Sequence, residues 1–383
     1  MSLGNRILDA ANLSRASDVH IDPDKDKFEI RLRVAGDIEL FNSLPIAQHG
    51  SLLGRLKVLA NLDIVEKRAP QDGSMVHRFQ GTGVFVDIRV ASIPTKPGEK
   101  MTMRLLGFRA ESLALEKLGT STEHMQMFRK SIAQPHGMIL VTGPTSSGKS
   151  TTFYAALREI NRGLTRTTIT IEDPVGYDLA GINQVQVDEG KASFAKALRS
   201  VLRHDPDIVM VGEIRDRKTA EIAVTAAMNG RLALTALRTN TAASRVTRLL
   251  NMGLEPYLLS AILRLSIAQR LVRELCPKCA RPYSVTEEQA LILGDRSLKG
   301  TTAYVPVGCK YCANRGIRGR IGLFEFLPLN DRFRPIIRKG MVEDELLAKM
   351  ADCSIASLGD DGLAKALAGT VPLSEVIRVT TIV

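Results

Sequence analysis

A loop with the sequence GPTSSGKST (143–151) carries the clearest chemical signal in the chain. Gly143 and Gly148 let the backbone curl so that its N–H groups point at an anion, and Lys149 and Ser150 can then reach phosphate oxygens and Mg²⁺. The apolar run GMILVT (137–142) predicts a buried strand, and KSTTFYAALREI (149–160) predicts a helix with a partly positive N-terminus. We therefore predict a phosphate loop (Walker A) that binds a nucleoside triphosphate, made of Gly143, Pro144, Thr145, Ser146, Ser147, Gly148, Lys149, Ser150 and Thr151.

Carboxylates follow two further predicted strands. DIVMVG (207–212) ends just before Glu213, and TTITI (167–171) ends just before Glu172 and Asp173. The carboxyl ends of parallel strands share one edge of a sheet, so these groups should lie beside the phosphate loop. There they could hold the Mg²⁺ water shell or orient the attacking water, although a helix cap or a solvated loop would also explain them.

Four of the five cysteines form two C-x-x-C pairs, which are Cys276 with Cys279 and Cys309 with Cys312. This spacing is typical of two knuckles that close a tetrahedral Zn²⁺ site, and four protein ligands make such a site structural. Unligated buried or exposed thiols are the alternative. Cys353 stands alone and is interpreted as a small core residue.

Composition limits the functions that the chain can have. The 383 residues suggest two or three domains, 44% are apolar, and no apolar run approaches the about 18 residues that span a bilayer. We therefore expect a cytoplasmic protein. The net charge of +11 fits a solvated surface, nucleic acid or anionic lipid. An aromatic content of 4% without tryptophan argues against base stacking, and so against nucleic acid.

Strands and helices alternate after the first hundred residues, which predicts an α/β fold with a parallel-rich sheet. Before that, FEIRLRVAGDIEL (28–40) predicts a hairpin that turns at Ala35 and Gly36, and a helix and further strands follow. We expect an N-terminal α/β domain over 1–108, a linker over 109–120 and an ATPase core over 121–275. A cysteine module over 276–315 and a mainly helical region over 316–383 should complete the chain.

Several long segments resemble the secretion ATPases of type II secretion and type IV pilus assembly. They include GPTSSGKSTT, TIEDPVGYDLAGINQVQV, DPDIVMVGEIRDRKTAEIAVTAAMNG and LLSAILRLSIAQRLVRELCPKC, with ASDVHI (16–21) and RGIRGRIGLFE (315–325). The resemblance implies a RecA-like P-loop domain preceded by a smaller PAS-like domain, and a homo-hexameric ring. It also implies ATP hydrolysis that drives an inner-membrane platform and peripheral attachment to the inner membrane. The chain would lack the further N-terminal docking domain of many relatives, and the cysteine module points to the assembly branch rather than to retraction motors.

The resemblance assigns roles to single residues. Lys149 and Ser150 would contact phosphate and Mg²⁺, Glu213 would be the Walker B carboxylate, and Glu172 and Asp173 would belong to the aspartate box. Arg89 in DIRV and Arg104 in TMRLL would approach the γ-phosphate when the domains close. Arginines in that role are worth about 10³ to 10⁵ in rate.

Three positions depart from the family pattern, and we expect all three at the hydrolytic edge of the sheet. EDPVG places Gly176 where relatives carry a glutamate that is a candidate general base, and GRL…LRTN places Arg231 and Arg238 where relatives carry histidines. We expect slow turnover, or a different base among Glu172, Asp178 and Glu213. Three hypotheses follow: an active secretion or pilus motor, a ring subunit that binds ATP but hydrolyses it weakly, and a DNA-transport ATPase.

Overall fold

The computed structural model describes residues 3–79, 85–106, 113–187, 193–237 and 244–380. The chain divides into two compact units, Met1–Ala110 and Glu111–Val383. In the part that the structure describes, no helix is both long and apolar enough to cross a membrane.

The first unit is a six-stranded antiparallel sheet with two helices against one face. The strand order is β3-β2-β1-β6-β5-β4, and the predicted β2–β3 hairpin turns at Ala35 and Gly36, both with positive φ. Alternate apolar side chains of the strands, for example Ile30 and Ile88, face the helices and form the core together with helix residues such as Leu56. The elements are α1 Leu3–Leu13, β1 Ala16–Pro23, β2 Lys27–Val34, β3 Asp37–Pro45, α2 His49–Leu59, β4 Gln71–Arg78, β5 Phe85–Thr95 and β6 Gly98–Leu106. The predicted smaller α/β domain is confirmed.

The second unit contains a seven-stranded sheet in the order β15-β12-β7-β11-β10-β8-β9. Every neighbouring pair is parallel except β12 with β15, and apolar cores lie on both faces, as the near-continuous apolar strands require. The RecA-like, parallel-rich fold is therefore confirmed. The strands are β7 Gly137–Thr142, β8 Thr168–Glu172, β9 Asn183–Gln186, β10 Ile208–Val211, β11 Leu232–Leu237, β12 Leu263–Leu275 and β15 Ile317–Pro328. The helices among them are α3 Thr122–Ile132, α4 Lys149–Ile160, α5 Phe194–Val201, α6 Arg217–Met228, α7 Ser244–Asn251 and α8 Pro256–Ile262.

The cysteine module lies between β12 and β15. A two-stranded sheet, β13 Arg281–Ser284 with β14 Thr302–Val305, and the helix α9 Glu287–Ile292 separate the two cysteine pairs. Helices α10 Glu343–Asp352, α11 Leu358–Leu367 and α12 Leu373–Thr380 follow β15.

The C-terminal region is helical only after Pro328. The helical C-terminal region is confirmed by α10, α11 and α12, but the segment that we predicted from residue 316 begins with the strand β15, which pairs with β12 along its length. The cause is the apolar, aromatic stretch GLFEFL (322–327), which is almost entirely buried and completes the sheet beside β12.

Candidate functional site

The phosphate loop joins the predicted strand β7 to the predicted helix α4. Gly143 has φ +150° and Gly148 has φ +90°, conformations that favour glycine. A Cβ at Gly143 would stand 2.3 Å from the carbonyl oxygen of Gln269, and one at Gly148 would stand 2.7 Å from its side-chain nitrogen. Both glycines therefore allow the loop to lie directly against β12.

Polar groups inside this loop fit a bound phosphate chain. The Lys149 ammonium donates to the carbonyls of Gly143 and Pro144 at 2.9 and 2.8 Å, so it is folded over the loop that it would serve. The Ser147 hydroxyl is buried and has no hydrogen-bond partner among the described residues. Ser150 is exposed in the first turn of α4, where its hydroxyl is accessible to Mg²⁺. Pro144, Thr145 and Ser146 are exposed along the loop.

Gln269 closes the base of the loop and was missed in the sequence. It is 2% exposed, and its side-chain oxygen accepts a hydrogen bond of 2.7 Å from the Thr152 hydroxyl of α4. The signal was available, because an amide within the apolar strand sequence LSIAQRL must find a partner inside the protein.

The structure brings the predicted carboxylates to the same sheet edge as the phosphate loop. The register aligns Val211 with Ile171 and with Thr235, and Leu237 with Thr142, so Asp173, Glu213 and Gly143 all follow the carboxyl ends of aligned strands.

Arg215 joins two of these carboxylates and was also missed in the sequence. Its guanidinium lies 3.3 Å from the Asp173 carboxylate and 3.5 Å from the Glu213 carboxylate, and it stacks over the Phe194 ring. The cation balances charge where two acids approach each other.

Glu172 occupies a different environment from Asp173. Its buried carboxylate accepts hydrogen bonds from Thr170 Oγ1 at 2.5 Å, from Gln184 Nε2 at 3.0 Å and from the Tyr154 hydroxyl. Burial, and after it the Glu172 charge, raise the pKa of Tyr154. The hydroxyl therefore stays protonated and donates a hydrogen bond to Glu172. This arrangement favours a structural role for Glu172 over general base catalysis.

Gly176 is held by the same network. Its N–H donates to the Tyr154 hydroxyl oxygen at 2.8 Å. A Cβ at this position would lie 3.1 Å from that oxygen, which is a tight contact, although the backbone is not in the left-handed region. Gly176, which stands where relatives carry a glutamate, therefore packs so closely against Tyr154 that a side chain here would be in tight contact with its hydroxyl.

Of the two arginines that replace family histidines, the structure describes Arg231. Arg231 immediately precedes β11, at the end where Leu232 pairs with Gly137, whereas the phosphate loop follows Thr142 at the opposite end. Our placement of Arg231 at the hydrolytic edge was wrong, because a strand of six residues spans about 20 Å. Arg238 lies outside the described residues.

Arg89 and Arg104 lie in the first unit on the outer face of its sheet. They are directly opposite each other in the antiparallel pair β5–β6. Like charges in this arrangement destabilise a sheet, so their presence favours an anionic ligand on this face.

The four cysteines of the two knuckles meet at one point. Their sulfur atoms all lie within 4.8 Å of one another, with 3.9 Å between Cys276 and Cys309, 3.7 Å between Cys279 and Cys312, and 3.8 Å between Cys309 and Cys312. A tetrahedral Zn²⁺ with Zn–S bonds of about 2.3 Å would separate its sulfurs by about 3.8 Å. The donor set and its spacing therefore fit a closed metal site.

Backbone N–H groups already support negative charge on one sulfur. Burial acts to raise the pKa of Cys312, but N–H donors from Cys309 and Gly316, at 3.2 and 3.1 Å, and the neighbouring thiols lower it to about 6. Burial and shared hydrogen bonds raise the pKa of Cys279 to about 12. Thiolate ligands with N–H donors are what a Zn²⁺ ion would bind here.

Comparison with known proteins agrees with this arrangement. The profile of the family described as "Type II/IV secretion system protein" matches residues 1–378. The chain is 44% identical over 381 residues to the type IV pilus assembly ATPase PilB of Myxococcus xanthus, which covers 98% of this chain and 67% of PilB. It is 43% identical over 381 residues to the type II secretion system ATPase E of Vibrio cholerae, covering 99% and 75%.

Solved structures give the same answer for the fold. The pilus retraction motor PilT, solved with bound ADP, aligns with a TM-score of 0.68 and 26% identity over 99% of this chain and 97% of its own. The Legionella pneumophila ATPase DotB aligns with a TM-score of 0.70 at 20% identity, over 98% and 94% of the two chains, and supports the fold alone. A phosphate loop, an acidic strand edge and a tetracysteine cluster thus occur in a chain that matches secretion and pilus ATPases along its whole length. The chain belongs to the Type II/IV secretion system protein family and is an ATPase of that family.

Proposed function

We propose that this chain forms a homo-hexameric ring that couples Mg-ATP hydrolysis to assembly of a pilus or pseudopilus, in type II secretion or type IV pilus biogenesis. The observation that carries the proposal is the phosphate loop beside Asp173, Glu213 and Arg215, in a chain at least 43% identical to a PilB and a type II secretion ATPase.

The residues of the second unit would divide the work at the nucleotide. The loop N–H groups and Lys149 would bind the phosphates, and Ser150 would hold the Mg²⁺ that neutralises charge on them. Glu213 is our first choice for orienting the attacking water, because Glu172 is held by three hydrogen-bond donors. In the first unit, Arg89 and Arg104 would offset charge on the transferring phosphoryl group.

Steady-state phosphate release by the purified ring tests this function. We expect Mg²⁺-dependent turnover that Glu213→Gln reduces by at least about 10². Arg217→Gln is a matched control, because Arg217 pairs with Glu221 on the exposed surface of α6. If the parent protein assembles into rings and binds ATP but releases no phosphate, the proposed motor function is wrong.

A ring subunit that binds ATP and hydrolyses it weakly is the second candidate, and Gly176 is the observation that favours it. A gain in turnover in Gly176→Glu would separate the two functions.

We also propose that the tetracysteine site holds structural Zn²⁺. We further propose that the outer surface of the cysteine module faces an anionic inner membrane beside the platform proteins. The segments 276–281 and 306–320 contain six lysines and arginines and no acidic residue. Tyr311 is 45% exposed, with the Lys278 ammonium 4.4 Å and the Arg318 guanidinium carbon 3.8 Å from its ring centroid. An exposed aromatic ring among cations is typical of residues that contact charged lipid headgroups.

Co-sedimentation with vesicles tests this surface. We expect binding to vesicles with anionic lipid but not to neutral ones, and weaker binding after Lys278→Gln with Lys310→Gln. The control pair is Arg296→Gln with Lys299→Gln, which removes the same charge elsewhere in the module. An equal loss of vesicle binding in both double variants would mean that net charge alone, and not this surface, causes the binding.

A further inference from the structure

A row of charged side chains crosses the outer face of the six-stranded sheet. The strand registers place Arg33 of β2, Asp18 of β1, Arg104 of β6, Arg89 of β5 and Ser74 of β4 side by side. Asp18 is the one carboxylate among three arginines in this row. The row is therefore strongly cationic, which suits an anionic ligand.

Asp18 is buried beneath more exposed partners. The residue is 5% exposed, whereas the Arg104 side chain is 64% exposed. The Asp18 carboxylate accepts hydrogen bonds from Arg104 Nε and from the Ser17 hydroxyl, each at 2.8 Å, and lies 3.8 Å from Arg33 Nε. A buried carboxylate with this many partners is fixed in place, and so is the guanidinium that it contacts.

The contact leaves Arg104 suitable for phosphate binding. Asp18 meets the guanidinium through Nε, and a guanidinium can grip phosphate oxygens with its two terminal nitrogens. On the other side of Arg104 stands Arg89, whose positive charge acts to push the guanidinium away. Asp18 opposes this displacement.

We infer that Asp18 is a positioning residue for ATP hydrolysis, which holds Arg104 beside Arg89 so that the pair presents a preformed anion clamp. The inference rests on the proposed role of the two arginines at the nucleotide phosphates. It explains why a buried acid stands in a row whose ligand is an anion, since its charge orients one arginine and leaves the row positive.

The same strand offers a matched control. Asp22 lies four residues along β1 on the same face and pairs with Arg31, at 2.9 and 2.7 Å, and with Lys100. It contacts neither Arg89 nor Arg104 in the described structure. Asp22→Asn therefore removes an equivalent charge from the same sheet face without touching the clamp.

A double-mutant cycle on the full-length ring tests the inference. We expect Asp18→Asn to lower kcat about tenfold with KM for ATP changed less than about twofold, and Asp22→Asn to change kcat less than about twofold. Arg104→Ala should lower kcat more, and Asp18→Asn should have no further effect in that background. Independent, multiplicative effects, or an equal loss in Asp22→Asn, would overturn the inference.

Binding provides a readout that does not depend on turnover. We expect the ratio of Kd for ADP to Kd for the non-hydrolysable triphosphate AMP-PNP to fall in Asp18→Asn and in Arg104→Ala, because the clamp contacts the terminal phosphate. A fall in this ratio in a ring that releases no phosphate would overturn the motor and support Asp18. No change in either variant would overturn both the arginine role and the inference. Thermal midpoints show whether each variant folds. If Asp18→Asn does not fold, Asp18→Ser takes its place in the experiment.

Discussion

Lys149 stands out among single residues because its ammonium is already folded over the phosphate loop, in contact with two loop carbonyls. We expect Lys149→Ala to weaken Mg-ATP binding by at least about a hundredfold, or about 2.7 kcal/mol, since it removes a charge-assisted contact to the phosphates. Isothermal titration of the variant beside Lys130→Ala, an exposed lysine of α3, checks this. Unchanged affinity in Lys149→Ala would contradict the assignment of residues 143–151.

Gly176 sets a second prediction at the same scale. We expect Gly176→Glu to raise kcat about tenfold, or about 1.4 kcal/mol, with little change in ATP affinity, because it restores a carboxylate after the strand β8. Gly176→Ala is the matched control. It introduces the same 3.1 Å contact with the Tyr154 hydroxyl and no carboxylate.

The comparison of the two variants isolates the carboxylate. Equal rates in Gly176→Glu and Gly176→Ala, in proteins that fold and form rings, would mean that the missing glutamate does not limit turnover. The base would then be a carboxylate already present, with Glu213 the first candidate. Arg231→His is not needed in this experiment, because Arg231 lies at the other end of β11.

Among the elements, α12 is held to the sheet by a buried ionic cluster. Glu375 is 2% exposed and accepts hydrogen bonds from the Arg273 side chain at 2.6 Å and from Arg378. Burial acts to raise the pKa of Glu375, but the two arginines and the Arg273 N–H lower it to about 2.

This depressed pKa predicts a stability loss in acid. The folded pKa is below the unfolded value of 4.5, so the stabilisation is complete above about pH 4.5 and is lost as the pH falls toward about 2. We expect Glu375→Gln to cost at most about 3 kcal/mol at pH 6, and the cost to shrink by about 1.4 kcal/mol per unit below pH 4.5. Urea unfolding of parent and variant between pH 3.5 and 6 measures it. A cost that does not vary with pH would contradict the ionic explanation.

The cysteine module gives a prediction about a metal. We expect one Zn²⁺ per chain in protein purified without chelator, and Cys312→Ser should lose the metal and loosen residues 276–312. ATP affinity should stay within about twofold, because the first knuckle lies about 20 Å from Gln269 along the extended strand β12, and coupling over that distance should be weak. Elemental analysis and limited proteolysis check this, with Cys353→Ser as the control cysteine outside the cluster. Well under one equivalent in the parent would contradict the site.

Local patterns in the sequence predicted the elements better than the contacts between them. The phosphate loop, β7, α4 and the cysteine pairs were predictable, because each depends on residues close together in the chain. Gln269 meets Thr152 across 117 positions, and β15 joins β12 from beyond the cysteine module, so neither contact has a local signature. The placement of Arg231 failed for a related reason, since the histidine-box pattern does not show that Arg231 precedes β11, at the end of the strand away from the phosphate loop.

At the scale of the whole molecule, charge and chemistry are distributed over both units. The first unit carries the cationic row around Arg104, and the second carries the nucleotide loop with its acidic edge. The net charge of +11 is thus partly concentrated in two places, which are this row and the segments 276–281 and 306–320 of the cysteine module. We therefore expect added salt to weaken vesicle binding more than it weakens ATP binding. Vesicle binding depends on several exposed lysines and arginines whose charges salt screens, whereas the loop binds phosphate largely through its backbone N–H groups.

The strand β12 has a mechanical consequence. Its 13 residues extend about 40 Å, with Gln269 under the phosphate loop, Arg273 bonded to α12 and Leu275 adjacent to the first knuckle cysteine. β12 pairs with β7 over Leu263–Ala268 and with β15 as far as Leu275, so a displacement at Gln269 would reach the first knuckle through the pairing with β15. Nucleotide binding at the phosphate loop should therefore alter amide exchange at residues 276–281. In Gln269→Ala, nucleotide binding should no longer change amide exchange there.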